Sequence, residues 1–229
     1  MTAEKGTRLI IAVDGPAGSG KGSVCRSVAD RFGLAYLETG AIYRAVGLIA
    51  LEQGLDAPES LAEAAAEMPF TFRALGGGNY GAFLGEREIS DDLRREEVGE
   101  RASQVSAIPD VRQALLGFQR GYGGSDDAIL DGRDVGTVVC PDAGLKIFLT
   151  ASLEARAERR ALELQAKGEP VSLREVSARM AARDARDSGR SHAPLKPAED
   201  AVIVDTTPMT KSESIERVAA LISQKISNR

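Results

Sequence analysis

Arg8-Leu-Ile-Ile-Ala-Val-Asp14 runs directly into Gly15-Pro-Ala-Gly-Ser-Gly-Lys-Gly-Ser23, and the reading of these two stretches decides the fold class. The apolar run is continuous rather than alternating, the pattern of a strand covered on both faces. Gly15 and Pro16 end it, and a helix is expected from Lys21 to Phe32. A glycine-rich loop between strand and helix is the setting of a phosphate-binding P-loop. Its glycines let the backbone curl so that successive N–H groups and the helix N-terminus face phosphate oxygens, while a lysine reaches the β and γ oxygens. Gly15, Pro16, Ala17, Gly18, Ser19, Gly20, Lys21, Gly22 and Ser23 are therefore the expected ATP- or GTP-binding residues. A plain strand-to-helix turn is the alternative, and the agreement of motif, lysine and flanks outweighs it.

Outward from that stretch the alternation of strand and helix repeats. Further buried strands are expected at Ala35 to Glu38, Ala128 to Asp131, Leu145 to Thr150 and Ala201 to Asp205. Helices with one apolar face are expected near Ile42 to Gln53, Leu93 to Ser106, Asp110 to Arg120, Leu153 to Lys167, Leu173 to Asp187 and Lys211 to Ile226. Such alternation predicts an α/β protein with a parallel sheet. One stretch breaks the rhythm. Phe70 to Arg73, Tyr80 to Leu84 and Arg87 to Ile89 are short β-like runs separated by Gly76-Gly77-Gly78 and by Gly85, which reads as a small antiparallel insertion. The alanine-rich Leu61 to Glu67 before it reads as a helical turn or two.

At 229 residues the chain has the length for one domain, or one core with insertions. Charged residues at 28% and hydrophobic residues at 43% argue against a disordered tail or a fibre. A net charge of -5 and a pI near 5.2 argue against a basic nucleic-acid-binding face over the whole domain, so an anionic ligand has to be gripped locally. Cys25 and Cys140 lack CxxC or Cys/His spacing; two buried, reduced thiols are expected rather than a disulfide framework or a zinc site. The run Leu9 to Val13 is too short for a signal peptide, and no segment approaches the ~20 apolar residues of a membrane span. A cytoplasmic protein is the expectation.

Three further constellations bear on chemistry. Gly22 follows Lys21 and the hydroxyl comes next, at Ser23, a departure from the strict P-loop that is a feature of nucleoside monophosphate kinases. Glu38-Thr-Gly-Ala-Ile-Tyr-Arg44 lies at a strand end and a helix start, where Thr39 can cap the helix and Arg44 can meet a second phosphate. Taken alone, it is as readily an ordinary cap with a surface charge. Asp131-Gly-Arg-Asp-Val-Gly136 sits at the carboxyl end of a strand, where α/β sheets present ligand contacts. Arg133 can grip phosphate there, and a carboxylate can order Mg²⁺ waters. Arg179, Arg183, Arg186 and Arg190 fall on one helical face with Asp184 and Asp187 among them, followed by Gly189 and Pro194. A solvated, salt-bridged helix and a mobile arginine lid both fit that pattern. His192 has no nearby nucleophile, so neither a triad nor a metal role is expected.

These stretches resemble those of the bacterial cytidylate kinases, nucleoside monophosphate kinases acting on CMP and dCMP. The resemblance is carried by Gly15 to Ser23, Thr39-Gly-Ala-Ile-Tyr-Arg44, Ala102-Ser-Gln-Val105 with Val111-Arg112, Asp131-Gly-Arg-Asp-Val-Gly-Thr-Val-Val139 and Arg183-Asp-Ala-Arg-Asp187. It runs nearly end to end. It implies an α/β P-loop NTPase fold with a five-stranded parallel sheet flanked by helices, a small antiparallel insertion and an arginine-rich lid. One kinase unit is implied over 1–229. Its core would lie about 1–38, 108–170 and 198–229, its monophosphate-binding arm about 39–107 with the β insertion about 69–90, and its lid about 171–197.

The resemblance also implies contacts to CMP from Thr39, Arg44, Ser103, Arg112, Arg133, Asp134, Arg183, Asp187 and Arg190. Ser103 and Arg112 would read the cytosine edge, Arg44, Arg133, Arg183 and Arg190 would hold the phosphate, and Asp187 would meet the sugar hydroxyls. Lys21, Arg133, Arg183 and Arg190 would be catalytic. ATP would be the donor, with Mg²⁺ and no dedicated protein metal site, in a monomer without nucleic-acid or membrane partners. Two departures are slight: Ser23 stands where threonine is frequent, and Cys140 follows Val139, where it would only pack. A P-loop kinase with another acceptor, such as UMP, AMP or a small metabolite, is the nearest rival. A GTP-hydrolysing switch is the rival from another class, and the Asn-Lys-x-Asp guanine signature it would carry is absent from the chain.

Overall fold

The computed structural model describes residues 8–76, 79–122, 126–166, 168 and 171–228. Two compact units emerge, one formed by the chain up to Leu37 and from Tyr122 onward, the other by Glu38–Gly121.

The first unit contains β1 (Ile10–Asp14), α1 (Lys21–Phe32), β2 (Ala35–Glu38, whose last residue belongs to the second unit), β6 (Ala128–Gly132), β7 (Leu145–Thr150), α6 (Leu153–Ala166), α7 (Leu173–Ser188), β8 (Val202–Asp205) and α8 (Lys211–Ser227). The expected five strands form one sheet in the order β2-β6-β1-β7-β8. β1 pairs in parallel with β6, Ile11 opposite Ile129, and with β7, Val13 opposite Ile147. Being central, β1 is covered on both sides, which explains its continuous apolar run. Ile11, Val13, Ile129, Ile147 and Leu149 pack with Val24 and Val28 of α1 and Val218 and Ile222 of α8. Cys25 is buried in the same cluster. Cys140, expected to be buried, is instead partly exposed.

The second unit contains α2 (Thr39–Gln53), α3 (Pro58–Glu67), β3 (Phe70–Gly76), β4 (Asn79–Leu84), β5 (Arg87–Glu88), a 3-10 turn at Asp92–Arg94, α4 (Glu96–Val105) and α5 (Pro109–Gly121). The insertion is the expected antiparallel sheet, in the order β3-β4-β5. Gly77 and Gly78 of its expected glycine turn, and Lys167 at the expected end of α6, lie outside the described residues. α3 is longer than a turn or two, because Pro58 takes its first position and presets the helical φ. The single helix expected over Leu93 to Ser106 is broken at Arg95, whose ψ of 141° is extended. Among the described residues no helix is long and apolar enough to cross a membrane.

Candidate active site

In the first unit the P-loop leaves β1 at Gly15, whose φ is +150°. A Cβ there would stand 2.0 Å from the Leu149 carbonyl oxygen on β7, so only glycine lets the chain turn this close to the neighbouring strand. Gly20, at φ 88°, occupies the cap position of α1 in the left-handed region. The Lys21 side chain is buried and folds back along the loop, its Nζ donating to the Pro16 carbonyl at 2.8 Å and lying 3.4 Å from Ser19 Oγ. Burial, and after it the like charge of Arg133, pull the ammonium down to about 7, against the opposing carboxylates of Asp131 and Asp14. A phosphate polyanion is the ligand that would restore its charge. Ser23 is exposed at the first turn of α1, its hydroxyl donating to the Gly20 carbonyl.

Asp14, which pattern reading passed over as the strand's last residue, ties this loop to the next. Its carboxylate accepts the N–H of Val135 at 2.8 Å and that of Gly136 at 2.7 Å. Those N–H groups open a single π-helical turn, Val135–Val139, that follows Asp131-Gly-Arg-Asp134. Arg133 and Asp134 therefore project from a segment fixed at both ends, by the ladder of β6 and by Asp14. Burial pushes the Asp14 carboxyl up to about 6, with the two backbone donors resisting. A carboxyl raised in the folded state adds stability that is complete below its unfolded value near 4 and lost as pH rises through about 6. Relative to Asp14→Asn, the parent should thus lose about 2 kcal/mol of unfolding free energy between pH 4 and pH 7. Urea unfolding of both proteins across that range checks this; parallel pH profiles would refute it.

Asp187, on the last turn of α7, brings the arginines together. It accepts from Arg133 Nε at 3.0 Å and from Arg190 Nη2 at 2.5 Å, and it is almost fully buried. Arg133, Arg190 and Arg183 hold its carboxyl below the usual range, although burial alone would raise it. The expected stripe of four arginines on one helix ends at Arg186, because α7 stops at Ser188 and Arg190 lies beyond Gly189. Arg190 returns by its side chain alone. Asp184 pairs instead with Arg156 of α6, at 2.7 Å. That buried arginine, absent from the sequence reading, also donates to the Ala17 carbonyl in the P-loop at 3.1 Å and to Ala151 O at 3.0 Å. α7 is thereby linked to the phosphate loop, a contact visible only once both elements flank β7. Tyr36 adds a 2.7 Å bond to Asp131 Oδ2 beside Gly22.

The second unit holds Thr39, Arg44, Ser103 and Arg112. Thr39 does not take the cap position expected of it; α2 begins at Thr39 itself, with Glu38 in the extended cap conformation. The Arg44 guanidinium donates to the Leu93 carbonyl at 2.6 Å. Arg112, on the first turn of α5, lies over the Tyr43 ring with its Cζ 5.4 Å from the centroid and donates to the Ser106 carbonyl at 3.1 Å. Ser106 in turn bonds the Ser103 carbonyl at 3.0 Å. Ser103 and Arg112, nine residues apart, are therefore tied through one short relay. Tyr43 went unread because an aromatic beside an arginine in a helix carries no pattern of its own.

Comparison with known proteins agrees on one family. The family model for cytidylate kinase matches residues 11–224. A cytidylate kinase from Magnetococcus marinus is 59% identical over 216 residues, covering 94% of this chain and 96% of that protein. Another, from Granulibacter bethesdensis, is 47% identical over 218 residues, 95% of this chain and 98% of its own. The crystal structure of an uncharacterized protein from Eubacterium ventriosum aligns with 97% of this chain and all of its own at a TM-score of 0.50 and 14% identity, a likeness of fold alone.

Proposed function

The chain belongs to the cytidylate kinase family, and from that premise we infer that it transfers the γ-phosphoryl group of ATP to CMP and dCMP, yielding CDP or dCDP and ADP. The observation that carries the reading is the glycine loop between β1 and α1 ending on a buried Lys21, whose ammonium folds back onto the Pro16 carbonyl at 2.8 Å. The like charge of Arg133 acts on the same ammonium, and a phosphate polyanion would offset both.

Gly15 to Ser23 would cradle the ATP phosphates with Lys21 on the β and γ oxygens. Thr39, Arg44, Arg133, Arg183 and Arg190 would hold the acceptor phosphate, Ser103 and Arg112 the cytosine edge, and Asp134 and Asp187 the remainder of CMP. Asp187 now binds Arg133 and Arg190. A CMP phosphate would take over those arginines and release the carboxylate to the sugar hydroxyls. An acceptor phosphate oxygen attacks the γ-phosphorus in line, one P–O bond forming as the bond to the ADP leaving group breaks. The residues at hand supply alignment and positive charge for that step, which needs no enzyme nucleophile. The segment about 171–197 would act as the lid, and its closure would keep water from the γ-phosphate. The division into core, arm and lid belongs to the same proposal.

Mg²⁺ fits these residues as part of MgATP. It keeps several waters and takes few protein oxygens. The Ser23 hydroxyl and the Asp131 carboxylate are the hard donors beside the loop. Bound there, the ion would neutralise phosphate charge. The reaction is placed in the cytoplasm, where ATP and CMP are found. We take the chain to act as a monomer; among the described residues the exposed large apolar side chains, Leu51, Phe118, Leu162, Leu173, Ile203 and Ile226, come singly from six different elements.

An acceptor panel tests the proposal: ADP formation from MgATP with CMP, dCMP, UMP, AMP, GMP or no acceptor at matched concentration. Turnover should be strong with CMP and dCMP and weak elsewhere. Preference for AMP or UMP would overturn the roles of Ser103 and Arg112, and acceptor-independent hydrolysis would overturn the kinase reading.

A further inference from the structure

Gly99 sits one turn inside α4 with ordinary helical backbone, since it is not among the glycines at positive φ. Nothing in its conformation requires glycine, and alanine is the better helix former at such a position. What requires it is space. A Cβ on Gly99 would stand 2.9 Å from both Nη1 and Nη2 of Arg44 and 3.2 Å from its Cζ. The guanidinium sets the edge formed by its two terminal nitrogens against the bare Cα of Gly99, and its Nη1 donates to the Leu93 carbonyl.

Gly47 on α2 supplies the contrast. Its Cβ would meet backbone, the Ala102 nitrogen at 3.0 Å and the Val98 oxygen at 3.2 Å. There glycine serves the close approach of α2 and α4. At Gly99 the obstructing atoms are the far end of a flexible side chain, so an added methyl displaces the arginine and leaves the helices in place.

We propose that Gly99 is a positioning residue for the acceptor phosphate: by lacking a side chain it forms the seat that fixes the Arg44 guanidinium. This rests on the reading that Arg44 holds the phosphate of CMP. An arginine shifted by a methyl's width loses the aligned approach on which charge-assisted, forked recognition of phosphate depends.

The test is a double-mutant cycle of Gly99→Ala and Arg44→Ala, reading KM for CMP, KM for ATP, kcat and Tm. Gly99→Ala should raise KM for CMP about tenfold, the scale of one misplaced phosphate contact, with KM for ATP unchanged. Its Tm should equal or slightly exceed the parent's, because alanine favours the helix. In the Arg44→Ala background, Gly99→Ala should add nothing. Unchanged CMP kinetics in Gly99→Ala, an additive effect in the double variant, or a fall of several degrees in Tm would each overturn the proposal. Should Arg44→Ala itself leave KM for CMP at the parent's value, the role given to Arg44 has failed and the seat falls with it. An impaired Arg44→Ala beside a normal Gly99→Ala sinks the seat alone.

Discussion

Lys21→Met lowers turnover of CMP by ~10³-fold, the scale seen when a preorganised charge facing the transferring phosphoryl is removed, while the protein stays folded. Both halves of that expectation come from the position of one ammonium. It is buried, bonded to the Pro16 carbonyl, and pulled down to about 7 by burial and Arg133. A lysine lowered in the folded state adds stability that is complete above its unfolded value near 10.5 and lost as pH falls through about 7. At pH 6 the folded protein is holding a charge it would rather shed. Methionine keeps an unbranched stem of similar length and carries no charge, so Lys21→Met should be at least as stable as the parent at that pH. Steady-state kinetics with far-UV circular dichroism and thermal melts at pH 6 and 8 check both parts. A folded variant with parental turnover would remove Lys21 from the chemistry.

Gly15→Ala has the opposite character, with stability failing first. Its Cβ would be driven to 2.0 Å from the Leu149 carbonyl oxygen, an atom of β7 paired to β1 on one side and β8 on the other. A backbone strand cannot step aside as a side chain can. Strain at a φ of +150° adds to overpacking, and together they cost about 3–5 kcal/mol. For a chain of this size the melting midpoint should fall by ~10 °C. Catalysis measured below the new midpoint should drop as well, since relief of the clash moves the loop proposed to cradle the ATP phosphates. A Tm within two degrees of the parent's would contradict the close approach of loop and strand.

Legibility in the sequence followed the range of each interaction. The P-loop could be read because its strand, glycines, lysine and helix lie within one contiguous stretch. The five strands of the sheet and the β insertion were readable for the same reason: period and punctuation are local. That β8 lies at the sheet edge and is half exposed, not buried as expected, was set by strand order. The break at Arg95 and the π-helical turn after Asp134 escaped, one set by a single extended residue and the other by donors that bond to Asp14, over a hundred residues away. One partner of Asp187 also escaped. The arginines spaced around it in the chain, Arg183 and Arg190, do act on its carboxylate, but Arg133, 54 residues away, is brought to it only by the fold.

By itself the sequence determined the chemical class, a phosphate-binding loop on a parallel α/β sheet with arginines in reserve, because apolar period and glycine spacing act between neighbours in the chain. Which groups hold those arginines and loops in place, Asp14 under the π-helical turn, Arg156 between Ala17 and α7, and bare Gly99 beneath Arg44, was decided only by the tertiary structure. Each of these contacts exists only where strand order and helix packing bring distant backbone and side-chain atoms within about 3 Å, the range in which hydrogen bonds and steric exclusion act.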